Sequence, residues 1–199
     1  MIYQLSHFLK NKFPFVWSVV EWFNEKLFLL LYGRRLQHLS SCLNKYPTNY
    51  QIREATLDDV QPMVNFFANQ PPKSFFYFRP HGFDENSITR LIKNKSHLTF
   101  LICDEKGIVG YFFLRCFFIG KCFLGKMVDH EHQGKGIGQM MCLKAMDIAT
   151  LLKMRMFETI SKDNLSSLYS TQKVLDTKII KEMENNYIYI EDFPKGTLK

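Results

Sequence analysis

The stretch "HQGKGIG", residues 132–138, places three glycines within five positions, immediately ahead of the apolar-periodic run "IGQMMCLKAMDIATLL". An ordered glycine costs roughly 0.5–1 kcal/mol relative to alanine inside a regular element, so a cluster at a helix start needs a compensating use. The run before it, "KCFLGKMVD", reads as a strand. The run after it reads as a helix from about Gly136 to Leu152, with Ile137, Met140, Met141, Ala145, Ile148 and Leu152 on one face. A strand, a glycine loop and a helix in this order leave the amides of Gln133 to Gly138 without intrahelical partners at the positive end of the helix dipole, where they can bind a phosphate. A dinucleotide site is excluded, because the third glycine falls at the wrong offset and no acidic residue closes a strand about 20 positions later. The Walker pattern fails for want of G-K-[ST].

The 199 residues suffice for one sizeable core with an appendage, and an apolar fraction of 46% with 19 phenylalanines argues for a folded chain except at its tail. The five cysteines, Cys42, Cys103, Cys116, Cys122 and Cys142, form no C-x-x-C pair and read as reduced core residues of a cytoplasmic protein. His130 and His132 stand on a loop with no cysteine pair to complete a tetrahedral set, so no metal site is expected. The formal charge of +7 suits an anionic ligand or surface, but no long basic run indicates nucleic acid.

Residues 1–49 differ from the rest and read as an N-terminal helical extension to a domain over 50–199. "FPFVWSVVEWFNEKLFLLLYGRR" is a helix with Pro14 near its start, a narrow polar stripe at Ser18, Glu21, Asn24 and Glu25, and apolar residues elsewhere. Glu21, Glu25 and Lys26 interrupt any uncharged run of the ~18 residues that a membrane span needs, and no signal-peptide cleavage site follows. Two readings stay open. The helix is an arm packed on the domain or on a second subunit of a homodimer, or it is an interfacial helix. In the latter, residues 13–35 contact the inner face of a membrane, with Trp17, Trp22 and Phe28 in the headgroup zone and Arg34 and Arg35 facing anionic lipid.

From Tyr50 the elements alternate. "YQIREA" is a strand, and "TLDDVQPMVNFFANQ" a helix with Thr56 and Asp59 as a capping box. "PPKSFFYFRPHGF" is a proline-punctuated loop, and "DENSITRLIKNK" a helix. "HLTFLICD", "IVGYFFLRCFFIG" and "KCFLGKMVD" are three antiparallel strands. After the glycine helix come a strand, "MRMFETIS", a helix, "DNLSSLYSTQKV", and a hairpin turning at Glu184-Asn185-Asn186. The order gives an α+β fold around one mixed sheet.

"VDHEHQGKGIGQMM" resembles motif A, Q/R-x-x-G-x-G/A, of the GNAT superfamily of acetyl-CoA-dependent N-acetyltransferases, with Gln133, Gly136 and Gly138 at its fixed positions. "YQIREATLDDV", "GIVGYFFLR" and "SKDNLSSLYS" resemble, in order, the family's first strand and helix, central hairpin and late asparagine-bearing helix, so the likeness covers about residues 50–192. It implies a mixed, largely antiparallel sheet flanked by helices. It implies that the amides of Gln133, Gly134, Lys135, Gly136, Ile137 and Gly138 hold the pyrophosphate of acetyl-CoA. It further implies that the strand ending at Met127 and Val128 splays from its neighbour, so that a main-chain amide near Val128 meets the thioester carbonyl, an interaction worth roughly 3–4 kcal/mol once an oxyanion develops.

Amine acetylation calls for a general base and a general acid. The family's late tyrosine, seven residues after the asparagine matched by Asn164, falls here on Thr171, with Tyr169 two residues earlier and about 200° away around a helix. Leu175-Asp176 stands where the family has glycine-phenylalanine. Tyr169 is the candidate acid, or a packed aromatic. Glu158, between Met156 and Ile160 on an apolar strand face, is the candidate base, or a solvated strand-end carboxylate, with Asp129 and Glu131 as runners-up. Asn164 caps its helix or touches the CoA arm, and Lys135 and Lys162 add charge for the phosphates or are solvated.

"SFFYFRPHGF" gathers Phe76, Tyr77, Arg79 and His81, which suit a small amine bearing a sugar, a nucleotide or an aromatic ring, or else form an aromatic core corner. The stretch also resembles superfamily members that act on nucleotide-linked amino sugars. The leading expectation is therefore an N-acetyltransferase of a small primary amine. A non-catalytic acyl-CoA-binding module and a basic membrane-associated interaction protein are the alternatives.

Overall fold

The computed structural model describes residues 14–45 and 48–198, so the extension before Pro14, including Phe13, lies outside the described residues. Its elements are α1 (Pro14–Leu36), α2 (Leu39–Leu43), β1 (Gln51–Glu54), α3 (Val60–Ala68), α4 (Glu85–Lys93), β2 (His97–Asp104), β3 (Gly107–Phe117), β4 (Lys121–Val128), α5 (Ile137–Leu152), β5 (Arg155–Ser161), α6 (Leu165–Val174), β6 (Leu175–Glu182) and β7 (Tyr187–Pro194).

Alternation along β3 decides the layers. Phe112, Leu114 and Cys116 join a core shared with α1, α2 and α5, while Tyr111 and Phe113 join a second core with α3 and α4. Both faces of the central strands are therefore covered, which is why "YFFLRCF" is nearly continuous in apolar residues. The sheet has seven strands in the order β1-β2-β3-β4-β5-β7-β6. All neighbours are antiparallel except β4 and β5, which run parallel for three residue pairs, from Lys121↔Arg155 to Phe123↔Phe157. Thr56 and Asp59 form the expected capping box ahead of α3, and Asp59 also takes two bonds of 2.6 Å from Arg53. Asn185 and Asn186 both adopt left-handed φ, 58° and 62°, and turn the last hairpin.

The extension is bound into the main core. Phe28 is fully buried beside the sheet, which removes it from any headgroup zone, while Trp17 packs under Arg115 and Trp22 is 58% exposed. The polar stripe of α1 faces inward: Asn24 donates to the Cys116 carbonyl (2.9 Å) and accepts from the Phe118 amide (3.1 Å), and Arg35 donates to the Leu152 carbonyl at the end of α5 (2.8 Å). These backbone groups at the β3–β4 turn and a helix end have no ladder partner of their own, so a polar stripe fits them better than an apolar one. The outward side of α1 is apolar, with Val16, Val19, Val20, Phe23, Leu30 and Leu31 all exposed. Lys144, in α5, is buried and caps α2 by donating to the Cys42 and Leu43 carbonyls. All five cysteines are free and buried. Among the described residues no helix is long and apolar enough to cross a membrane.

Candidate active site

The glycine loop begins where β4 ends. Asp129 accepts from the Gln70 side chain (2.8 Å), the Glu131 amide (3.1 Å) and His132 Nδ1 (2.8 Å), while Gln70 Oε1 accepts from the His130 amide (3.1 Å). Burial alone would raise the Asp129 carboxyl, but the bonds from Gln70 and His132 outweigh it and hold the group below the usual carboxylate range. Asp129 and His132 thus brace the loop. Glu131 projects into solvent.

Gly134 and Gly136 both sit at left-handed φ, 78° and 81°, and Gly136 is the N-cap of α5. A side chain would be strained there, and this, not crowding, explains the glycines, because a Cβ at either would touch nothing within 4 Å. Gly138 lies between α6 and the end of β4, where a Cβ would meet Ser170 at 3.5 Å and Val128 at 3.9 Å. Residues Gln133 to Gly136 are exposed, and no hydrogen bond among the described residues engages their amides. A phosphate would meet open donors and a helix N-terminus of 16 residues.

Beside this loop the sheet opens. Pairing between β4 and β5 stops at Phe123↔Phe157, leaving Leu124 to Val128 with an edge that no described strand covers. Met127 turns into the α3/α4 core and Val128 packs toward α5. On the α5/α6 side the gap is bridged by charge. Lys126 Nζ donates to Glu158 Oε2 (2.5 Å) and to Thr171 Oγ1 (2.9 Å), and the Thr171 hydroxyl donates to Glu158 Oε1 (3.1 Å). Cys142 Sγ lies 3.6 Å from Thr171 Oγ1. Glu158 is 3% exposed and Lys126 and Thr171 are likewise buried, so Glu158 is a paired core carboxylate and not a solvated strand-end group. Burial pulls the Lys126 ammonium down, but Cys142 and Glu158 outweigh it and hold the amine above its ordinary range.

Sequence reasoning missed Lys126 and Asp192. A signal existed for the first: Cys122, Leu124, Lys126 and Val128 share one face of a strand by alternation, so a lysine stood in an apolar row as visibly as Glu158 did. Asp192, 3% exposed, is on β7 opposite Met156.

The other predicted residues fall as follows. Tyr169 is 62% exposed, with Lys173 over its ring, and does not reach the gap; the residue of α6 that does is Thr171, as the 200° offset requires. Asn164 caps α6 by accepting from the Ser167 amide (3.2 Å). Lys135 is exposed, and Lys162 pairs with Glu182 (2.9 Å). α6 runs directly into β6, and Leu175 is buried at the junction.

On the opposite face of the sheet an open groove of about 540 Å³ is lined by Phe67, Gln70, Phe75, Arg79, His81 and Phe83, with Ala68 and Pro72 at its sides. His81 bonds the Gly82 carbonyl through Nδ1 (2.8 Å) and the Tyr111 hydroxyl through Nε2 (2.9 Å). Tyr111 pairs with Met127 across β3 and β4, so the groove adjoins the open edge. Arg79 and His81 are in the groove, while Phe76 (76% exposed) and Tyr77 (43%) are outside its lining.

No protein-family model matches the chain, and no curated protein matches its sequence. Solved structures match its fold. The GNAT domain of S. lividans PAT superposes with a TM-score of 0.62 at 14% identity, over 72% of this chain and 90% of that one. A spermidine N-acetyltransferase from Vibrio cholerae, in complex with CoA and spermine, gives 0.55 at 15%, over 73% and 95%. A GNAT-family acetyltransferase from Streptococcus pneumoniae gives 0.53 at 16%, over 73% and 98%. The chain has the GNAT fold, as the sequence resemblance implied.

Proposed function

We propose that the protein is an acetyl-CoA-dependent N-acetyltransferase acting on the primary amine of a small molecule. The observation that carries this reading is the unpaired edge of β4 running into a helix N-terminus opened by two left-handed glycines. When bound, acetyl-CoA supplies an activated thioester. The amides of Gln133 to Gly138 hold its pyrophosphate, the main chain at Met127 and Val128 hydrogen-bonds its carbonyl, and Asn164 fixes the start of α6 beside the arm. Residues 50–199 carry the reaction, and α1 and α2 of the 1–49 extension brace them. Glu158 keeps a place in the charge balance of the gap. Tyr169 has none, because its ring is open to solvent.

The groove holds the acceptor between Arg79 and His81, with Phe76 and Tyr77 at its outer margin. Its aromatic walls and guanidinium, with no carboxylate in the lining, suit an amine that carries an anionic sugar or nucleotide, such as a nucleotide-linked amino sugar. A polyamine of the kind named for the Vibrio cholerae enzyme would find no countercharge there. The outward face of α1, flanked by exposed Lys26 and Arg34, rests on an anionic membrane surface from the cytoplasmic side.

A thermal shift with acetyl-CoA, CoA, NADH and ATP tests the cofactor reading. Acetyl-CoA and CoA at ~100 times Kd should add about 2.7 kcal/mol of stability, and Gly136→Asp should lose that response. An absent response to both CoA compounds would overturn it. Free-thiol release against a panel of amines then tests turnover.

A further inference from the structure

A lysine, a glutamate and an aspartate buried together where β4 and β5 part call for an account beyond stability. Buried ion pairs are replaceable by apolar packing at little or no cost, so stability alone does not explain why this gap holds one. The groups that face it come from every surrounding element: Lys126 from β4, Glu158 from β5, Cys142 from α5, Thr171 from α6 and Asp192 from β7. Asp192 makes the arrangement more unusual. Both its oxygens are buried and accept no hydrogen bond from a described donor. A second carboxylate beside Glu158 is tolerable only when it keeps its proton. In agreement, burial first and Glu158 second push the Asp192 carboxyl up to about 8. One ammonium, one carboxylate and one neutral acid leave the cluster without net charge, and Lys126 is its only cation among the described residues.

The reaction proposed above creates negative charge in this gap. The amine nitrogen forms a bond to the acetyl carbon, the carbon–sulfur bond breaks, and sulfur leaves with the electron pair. The amine sheds one proton to water and the released thiol takes one from water, so the step balances without a further reagent.

Resting on that reading, we infer that Lys126 is the catalytic residue that receives the leaving thiolate, held in place by Glu158 and Thr171. Its position supports this. Lys126 lies two residues before Val128 on the unpaired stretch of β4, on the strand face that Val128 also occupies, and its Nζ reaches across toward β5. Thr171 reaches Glu158 from α6, and Lys126 Nζ contacts both. An ammonium that stays charged serves as an electrostatic partner for sulfur and not as a proton donor that must reload in each cycle.

The test uses the full chain, its Lys126→Met variant and the double variant Lys126→Met/Glu158→Gln, which removes both charges and so avoids a stranded carboxylate. Two quantities are measured: the pH at which the thiol of bound CoA ionises, followed by thiolate ultraviolet absorbance, and acetyl transfer to an active amine. The expected result is that bound CoA ionises about tenfold more readily on the wild type than on the double variant, a difference of about one pK unit. Turnover should fall about 100-fold while CoA still binds. A double variant that binds CoA with the same thiol ionisation and unchanged turnover overturns the assignment while leaving the acetyltransferase reading intact. Failure of the wild type to bind CoA overturns both, and thermal shift separates the two cases.

Discussion

Lys126 Nζ and Glu158 Oε2 meet at 2.5 Å across a gap that their strands no longer close by backbone pairing. Each charge is buried, so each depends on the other. Removing only the lysine leaves a buried carboxylate, and Lys126→Met should cost about 3–5 kcal/mol. Adding Glu158→Gln should recover most of that loss. Urea denaturation of the wild type, both single variants and the double variant measures the coupling. Additive losses would mean that the pair does not act as a unit.

Asp192 should make stability depend on pH. Its folded carboxyl is raised from 3.8 to about 8. Between those values the folded state keeps a proton that the unfolded state has released. The stability it contributes is therefore complete below about pH 4 and is lost as pH rises toward 8, with a slope of at most about 1.4 kcal/mol per pH unit. Asp192→Asn should flatten this segment and leave the variant more stable than the wild type near pH 8. Chemical denaturation at several pH values from 5 to 9 reads the slope.

Much of the fold was legible because its signals are local. The capping box at Thr56 and Asp59, the apolar strand run around Tyr111 and Phe112 and the turn pair Asn185-Asn186 need only neighbouring residues to be read. The glycine loop was legible for the same reason. What escaped was set by packing between distant segments. The inward polar stripe of α1 answers backbone groups at Cys116 and Phe118, more than 90 positions away, and nothing near Asn24 reveals them. Asp192 likewise owes its state to burial and to Glu158, and the pairing of β5 with β7 brings the two carboxyls to neighbouring positions. For the catalytic acid, the helical offset already distinguished Thr171 from Tyr169, and the offset, not the aromatic residue, corresponds to what α6 buries.

The loop glycines differ in what they require. Gly136 is left-handed with open space around it, so Gly136→Ala should cost about 1–2 kcal/mol of backbone strain without a clash. Because the strain falls on the N-cap of α5, the variant should also weaken CoA binding, measured by calorimetry. Gly138→Ala meets only ordinary contacts with Ser170 and Val128 and should fold normally. A Gly136→Ala protein with wild-type stability would remove the conformational reason for that glycine.

Arg79 is the group in the groove best able to read an anionic acceptor, and its Nε already donates to the Phe75 carbonyl (3.1 Å), which orients the guanidinium. Arg79→Met should raise KM for an amine bearing phosphate or carboxylate by about tenfold or more, the loss of one charge-assisted hydrogen bond. It should leave kcat nearly unchanged, since the interaction holds the acceptor before and during the reaction alike. Equal losses for neutral and anionic amines would point to a structural role.

The two faces of α1 should separate under mutation. Phe28 is fully buried in the main core, and Phe28→Ala should cost about 3–5 kcal/mol, seen as a lower denaturation midpoint. Leu30 and Leu31 are 79% and 55% exposed, so replacing both with serine removes little buried surface and should shift stability by less than about 1 kcal/mol. If the outward face rests on lipid, the same double variant should lose flotation with anionic liposomes, and raised salt should weaken the wild type in parallel, because Lys26 and Arg34 contribute screened attraction. If the face instead covers a second copy, sedimentation of the wild type will show a dimer that the variant lacks, with no lipid required. Wild-type flotation that survives the two serines would mean that the membrane contact, if any, lies elsewhere on the chain.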